Sequence, residues 1–180
     1  MQYKYFSPVS SDASRTLALP LLAVLAMLLS TSACTDSSTE PALSDEERIQ
    51  ETTLRFMTEL NWESRLQFAT YASIAITPFD NSDEQLTALS PSVFHQLQNI
   101  DHPLRPFSEC TIGIGGVSHP DFTSGGICIW VGTITYTGSG SAVVYAGYFV
   151  GSLGAAGYLV RVERTETTWQ IVGFHMVFVS

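Results

Sequence analysis

Residues 127–179 decide the fold: ICIWVGTITYTGSGSAVVYAGYFVGSLGAAGYLVRVERTETTWQIVGFHMVFV. Four runs rich in β-branched and aromatic residues, at 127–137, 142–150, 158–164 and 169–179, are separated by short stretches of Gly, Ser and Thr, a pattern typical of strands joined by tight turns. Because consecutive strands with such short connections are antiparallel neighbours, this half predicts an antiparallel sheet of four long strands. Side chains alternate between the two faces of a strand, and in several of these runs the side chains on both faces are largely apolar. We therefore expect one face to pack on helices and the other to form a pocket wall or a contact surface.

Two helices are predicted before this sheet. Ser44 and Glu47 have the spacing of a capping box, and apolar residues recur at helical spacing from Ile49 to Leu60, so we expect a long helix that ends near residue 61. The pair Ser90-Pro91 predicts the start of a short second helix. Residues 66–76 fit the end of a helix or a first strand, and we favour the strand; residues 79–84, FDNSDE, are expected to be a loop.

The predicted class is therefore α+β, with the two helices packed on a curved antiparallel sheet of four to five strands. The last hairpin, YLVRVER at 158–164, a polar turn and WQIV at 169–172, resembles the end of domains of the nuclear transport factor 2-like (cystatin-like) superfamily. The order of elements over residues 44–180 is also similar to the order in that superfamily. The stretch 79–106 differs, because it is longer than usual and ends in a segment with several prolines. The resemblance implies a bent, cone-like sheet that encloses a pocket.

The N-terminus predicts export. Lys4 and Arg15 precede an apolar run at 17–29 that is too short to span a membrane, and Ser30-Thr31-Ser32-Ala33 then supplies a small-residue processing site before Cys34. This order resembles the lipobox of bacterial lipoproteins, with Thr31 where leucine is usual. The resemblance implies that residues 1–33 are a signal peptide and that Cys34 is lipidated and anchors the protein in the cell envelope, on the periplasmic or the surface side. Ordinary cleavage after Ala33 is the alternative.

Residues 34–43 are then expected to be the lipidated cysteine and a flexible tether, and residues 44–180 a single domain. Removal of residues 1–33 takes Lys4, Arg15 and Asp12 from a chain with 8 basic and 17 acidic residues, which leaves six Arg, no Lys and sixteen Asp or Glu. Such an acidic surface disfavours nucleic acid as a partner, and the absence of lysine excludes phosphate loops and Schiff-base chemistry.

With Cys34 assigned to lipid, Cys110 and Cys128 remain as an even pair in an oxidising compartment. We expect a disulfide between them, which would close a loop of about 19 residues and stabilise the fold by roughly 3 kcal/mol. The alternative is that one of them is a catalytic thiol.

The four histidines, His95, His102, His119 and His175, have no metal-ligand spacing, and neither a metal site nor a cofactor is predicted. His102 and His119 each precede a proline and are expected to be loop residues. His175 lies in the last strand and, by strict alternation, would share a face with Trp169, Ile171, Gly173 and Val177. If that face encloses a pocket, His175 is the side chain best suited to titrate near neutral pH.

Two functions fit these features. The favoured hypothesis is a non-catalytic envelope protein that is anchored in the membrane by its N-terminal lipid and binds a partner protein or a small apolar ligand. The superfamily resemblance implies an alternative, a small isomerase, cyclase or dehydratase with His175 as base and Tyr145 or Tyr158 as donor. A homodimer formed through the second face of the sheet is also possible.

Overall fold

The structure, a computed structural model, describes residues 42–74, 86–113, 115–122, 125–151 and 154–179. The predicted signal peptide, Cys34, nearly all of the tether and the loop at 79–84 lie outside these residues. The two helices are α1 (Asp45–Asn61) and α2 (Pro91–Leu97). The strands are β1 (Ala69–Ile74), β2 (Leu86–Ala88), β3 (Thr111–Gly113), β4 (Gly116–Ser118), β5 (Ile127–Gly138), β6 (Ser141–Gly151), β7 (Gly154–Thr165) and β8 (Thr168–Val179).

The predicted α+β class is confirmed, but the sheet differs from the prediction. It has six strands in the order β2-β1-β5-β6-β7-β8, rather than four or five, and β1 runs parallel to β5 while every other neighbouring pair is antiparallel. A chain segment that contains α2 and the separate β3–β4 hairpin connects the two parallel strands. Sequence periodicity cannot show this pairing because it joins strands more than 50 residues apart, and β2, with three residues, is too short to carry a periodic signal.

The start of α1 is built as its sequence predicts. The Ser44 hydroxyl accepts a hydrogen bond from the Glu47 backbone N–H at 3.2 Å, and the Ser44 N–H donates to the Glu47 carboxylate at 2.9 Å. The same carboxylate accepts hydrogen bonds from the hydroxyls of Ser92 at 2.6 Å and Ser90 at 3.0 Å, at the start of α2. These bonds, that from Ser92 above all, lower the pKa of Glu47 to about 2. One carboxylate therefore joins the first turns of both helices.

The main core lies between the helices and one face of the sheet, which we call the helix face. Side chains from α1, α2 and the middle strands fill it without exposure to solvent, among them Ile49, Met57, Val93, Ile129, Val144 and Val160. A buried hydrogen bond of 2.6 Å between the hydroxyls of Thr58 and Tyr71 ties α1 to β1. Burial raises the pKa of Tyr71 to about 12, so this hydroxyl stays protonated.

A second, smaller core lies on the opposite face, which we call the outer face. The β3–β4 hairpin and the chain around residues 104–122 cover β1 and β5 there. Val117 of the hairpin is buried against Phe68, Cys128 and Trp130 beneath it. The cover does not extend to β8, where six large apolar side chains, distributed over both faces of the sheet, are more than two-fifths exposed: Val172, Phe174, Met176, Val177, Phe178 and Val179. Among the described residues, no helix is long and apolar enough to cross a membrane.

An apolar pocket on the outer face

One row of cross-strand neighbours crosses the outer face. Trp130 on β5 pairs with Gly147 on β6, Gly147 pairs with Gly157 on β7, and Gly157 pairs with Phe178 on β8. Residues directly opposite each other in a sheet point to the same face, so two aromatic side chains flank two glycines in a single row. Each large side chain in the row therefore stands next to a position that has no side chain of its own.

The glycines are required because the aromatic rings lie on top of them. A Cβ atom at Gly147 would collide with the indole ring of Trp130, and a Cβ atom at Gly157 would collide with the ring of Phe178. Each ring thus reaches along the row and occupies the space above the neighbouring glycine. Trp130 is held in this position by Tyr145, whose ring meets the indole edge to face at a centroid distance of 5.1 Å.

A pocket of about 310 Å³ opens beside this row. This volume lies at the lower end of the range for small-molecule sites, and the lining residues are almost wholly apolar. The strands, the β3–β4 hairpin and β2 contribute Ile74, Leu86, Ile112, Trp130, Tyr148, Phe149, Ala155 and Phe178. A site of this composition can hold a small apolar or ring-bearing ligand, and its lining offers no carboxylate, imidazole or thiol for acid–base or nucleophilic chemistry.

The structure does not bring the predicted catalytic candidates together. His175 pairs with Leu159, and Leu159 pairs with Tyr145, so His175 and Tyr145 share the outer face with the Leu159 side chain between them. Tyr158 points to the helix face, where it is buried and its hydroxyl donates to the Asn61 side-chain oxygen at 3.4 Å. Burial also raises the pKa of Tyr158. His175 and Tyr158 therefore lie on opposite faces and cannot act on one substrate.

His175 is on the other side of the sheet from the one that strict alternation predicts. The registers Val162↔Ile171 and Arg161↔Gly173 leave Val172 as an extra residue, a β-bulge that reverses the alternation along β8. Trp169 and Ile171 pack in the helix-face core, whereas His175 is exposed on the outer face. A single inserted residue thus separates the histidine from the aromatic face assigned to it.

His119 is the histidine with the most structured surroundings. It is buried, its Nδ1 accepts a hydrogen bond from the Asp121 backbone N–H at 3.1 Å, and its Nε2 lies 3.3 Å from the Glu109 carboxylate. These bonds select the tautomer that carries its proton on Nε2 and donates it to Glu109. The Phe68 and Phe122 rings pack against the imidazole, so His119 fastens the outer-face cover in place.

The remaining two histidines lie away from the pocket. His102 stacks on the Trp62 indole at a centroid distance of 3.9 Å, and His95 is in the last turn of α2. The part of the chain that the structure describes holds no group of three or more His, Cys, Asp or Glu side chains that could bind a metal ion.

Cys110 and Cys128 are both free thiols in the structure, so the disulfide predicted between them is not formed in it. They nevertheless lie in the same outer-face core, Cys110 in the cover and Cys128 in β5 beneath it. Burial raises the pKa of Cys128 to about 12 and, together with the nearby Cys110, keeps it protonated; burial raises the pKa of Cys110 as well. Because the thiolate is the nucleophile, these surroundings disfavour the catalytic-thiol alternative.

A larger but more open cleft, of about 400 Å³, lies between α1, α2 and the β7–β8 turn. Its one basic side chain, Arg48, already donates hydrogen bonds to the backbone oxygens of Leu43 and Thr167. Since this arginine is engaged in holding the turn, the cleft presents weaker recognition chemistry than the outer-face pocket.

The comparisons with known proteins assign no family. No family model matches the chain, and the searches of curated proteins and of solved structures find no significant match either. The site therefore has to be interpreted from its own geometry. Of the residues in the adjoining row, Gly147 carried a signal in the sequence, since an isolated glycine within a strand pattern indicates close approach of another group.

Proposed function

We propose that the chain is a non-catalytic bacterial envelope protein, exported by residues 1–33 and anchored by lipid on Cys34, whose domain binds a small apolar ligand in the outer-face pocket. The observation that carries the binding part is the row Trp130–Gly147–Gly157–Phe178 beside an apolar cavity of about 310 Å³. Glycines weaken strands, so two of them opposite each other and beneath aromatic rings are best explained by the shape that they create.

The order of elements supports the further proposal that the domain is nuclear transport factor 2-like. A helix, two short strands, a second helix, the β3–β4 hairpin and four long antiparallel strands follow one another over residues 45–179. The side chains of the main core fill the space between the helices and the sheet. The proposed ligand pocket therefore lies on the outer face and not on the helix face.

Binding can be tested with a neutral apolar fluorophore, N-phenyl-1-naphthylamine, titrated into the chain that begins at residue 34 with Cys34→Ser. We expect saturable enhancement of fluorescence, and a loss of at least tenfold in affinity for Ala155→Phe, whose ring would occupy the cavity. Gln170→Phe is the matched control, because it adds the same ring to an exposed position on β8 that does not line the pocket. Equal affinity of the two variants would refute this assignment of the site.

The anchor is tested in a bacterial host with the full chain. Metabolic labelling with a palmitate analogue is expected to mark the wild-type protein and place it in the membrane fraction, whereas Cys34→Ser should be unlabelled and released. A wild-type protein cleaved after Ala33 but carrying no acyl chain would overturn the anchor, and it would leave the pocket proposal standing.

A further inference from the structure

The strand β8 forms one edge of the six-stranded sheet and is built unlike the opposite edge. The edge strand β2 has three residues, whereas β8 has twelve. One side of β8 pairs with β7, and no strand pairs with its other side in the part of the chain that the structure describes. The outward backbone N–H and C=O groups are therefore available to a further strand. Natural proteins ordinarily avoid such an edge by keeping the edge strand short, by placing charged residues in it or by covering it.

The side chains of this edge are as unusual as its length. Residues 168–179 contain no Asp, Glu, Lys, Arg or Pro, although the whole chain carries a net charge of −9. Isolated hydrophobic side chains on a surface are common, but here all six strongly exposed ones of β8 fall within residues 172–179. The protein thus combines an acidic surface with one neutral, apolar edge.

From these observations we infer that β8 is a self-association edge, where a second copy of this chain adds its own β8 in antiparallel orientation and extends the sheet to twelve strands. Two identical strands related by a two-fold axis satisfy each other's backbone groups and place like faces on the same side. Two acidic copies repel each other over most of their surfaces, and the uncharged edge is where they can approach without that cost.

The β-bulges of β8 define where pairing can occur. Extra residues at Val172 and Val177 bend the strand, and the run 173–176 between them keeps a regular register with β7. A two-fold contact centred on His175, within this run, would place Phe174 of each copy opposite Met176 of the other on the helix face. Twelve residues make an edge of only roughly 40 Å, so the interface is smaller than the standard of about 800 Å² per partner and the dimer should be reversible.

Phe178 links this edge to the proposed ligand site, because it belongs to β8 and also lines the outer-face pocket. A second copy would stand beside the β8 wall of the pocket. The self-association itself does not depend on the ligand, and the experiment below is carried out without one.

Sedimentation equilibrium of the Cys34→Ser chain from residue 34, over a hundredfold range of concentration, tests the inference. We expect a concentration-dependent dimer, with a dissociation constant at least tenfold higher for Met176→Glu. Leu60→Glu is the matched control: it places the same charge on an exposed apolar residue at the end of α1 and should dimerise like the wild type. Circular dichroism of each variant establishes that it is folded.

Amide hydrogen exchange distinguishes the edge from any other interface. In the wild type, backbone amides within residues 173–176 should become at least fivefold better protected as the dimer forms. A dimer that leaves these amides unprotected and tolerates Met176→Glu would overturn the inference, since it would use another surface. A chain that remains monomeric with these amides protected at every dilution would also overturn it, and would assign the edge to another segment of the same chain.

Discussion

The two faces of the central sheet differ in how completely they are covered. On the helix face, Ile129, Val144 and Val160 are wholly buried under α1 and α2. On the outer face, the β3–β4 hairpin protects β1 and β5, while Leu159 on β7 is only partly buried. The edge strand β8 is exposed on both faces. The helix face holds the larger core, the incompletely covered outer face supplies a pocket, and β8 supplies a free strand edge.

The largest effect on stability is expected for a substitution in the core of the helix face. Ile129→Ala removes a fully buried side chain and leaves a cavity, which should lower the free energy of unfolding by about 2–5 kcal/mol. Leu159→Ala makes a similar truncation on the outer face and should cost clearly less, because the leucine is already partly in water. Urea denaturation of both variants measures the difference, and equal losses would show that the two faces contribute alike.

An intermediate effect concerns the cover of the outer face. Oxidation of Cys110 and Cys128 to the predicted disulfide would fasten the cover to β5 and should raise the free energy of unfolding by about 3 kcal/mol over the reduced protein. Mass spectrometry after thiol alkylation, on protein isolated from an oxidising compartment, counts the free thiols. Two alkylated cysteines in fully folded protein would contradict the bridge, and Cys110→Ser with Cys128→Ser is the control that cannot form it.

The smallest effect is expected for the Glu47 carboxylate, which joins the first turns of the two helices. Because the pKa of Glu47 is lowered from 4.5 to about 2 in the folded protein, its contribution to stability is fully present above pH 4.5 and is lost as the pH falls toward 2. Glu47→Gln should therefore lower the thermal midpoint at pH 6, and the difference from wild type should shrink on acidification. Solvent screens this partly exposed network, so the shift will be modest.

Glu59→Gln, at an exposed position of the same helix, serves as the control for the charge change. A Glu47→Gln variant whose thermal midpoint differs from the wild type by the same amount at pH 6 and pH 2.5 would contradict the account of the shared carboxylate.

The sequence was sufficient where the responsible interactions are local. The capping box at Ser44 and Glu47, the helix start at Ser90-Pro91 and the hairpin turn near Gly138 all involve residues within a few positions of each other, and all three are found in the structure. The long strands followed from runs of β-branched and aromatic residues that are bounded by turn residues. The assignment of residues 66–76 to a strand rather than a helix is also confirmed, at 69–74.

It was insufficient for the candidate site. The prediction that His175 shares a face with Trp169 is wrong because it assumed unbroken alternation, and a bulge at Val172 reversed it. The outer-face pocket depends on residues from seven strands, and only the register of the long strands brings Gly147 and Gly157 into one row with Trp130 and Phe178. Composition described the aromatic content of the sheet but not which rings lie together.

The sequence by itself determined the α+β class, the helix caps, the hairpins and the absence of charge from the last strand, since each depends on local propensity or on which residues are present. Tertiary structure alone decided the parallel pairing of β1 with β5, the face on which each β8 side chain lies and the place of β8 at the edge of the sheet. The physical reason is that register and strand order are set by packing among distant segments, where a shift of one residue moves a side chain to the opposite face.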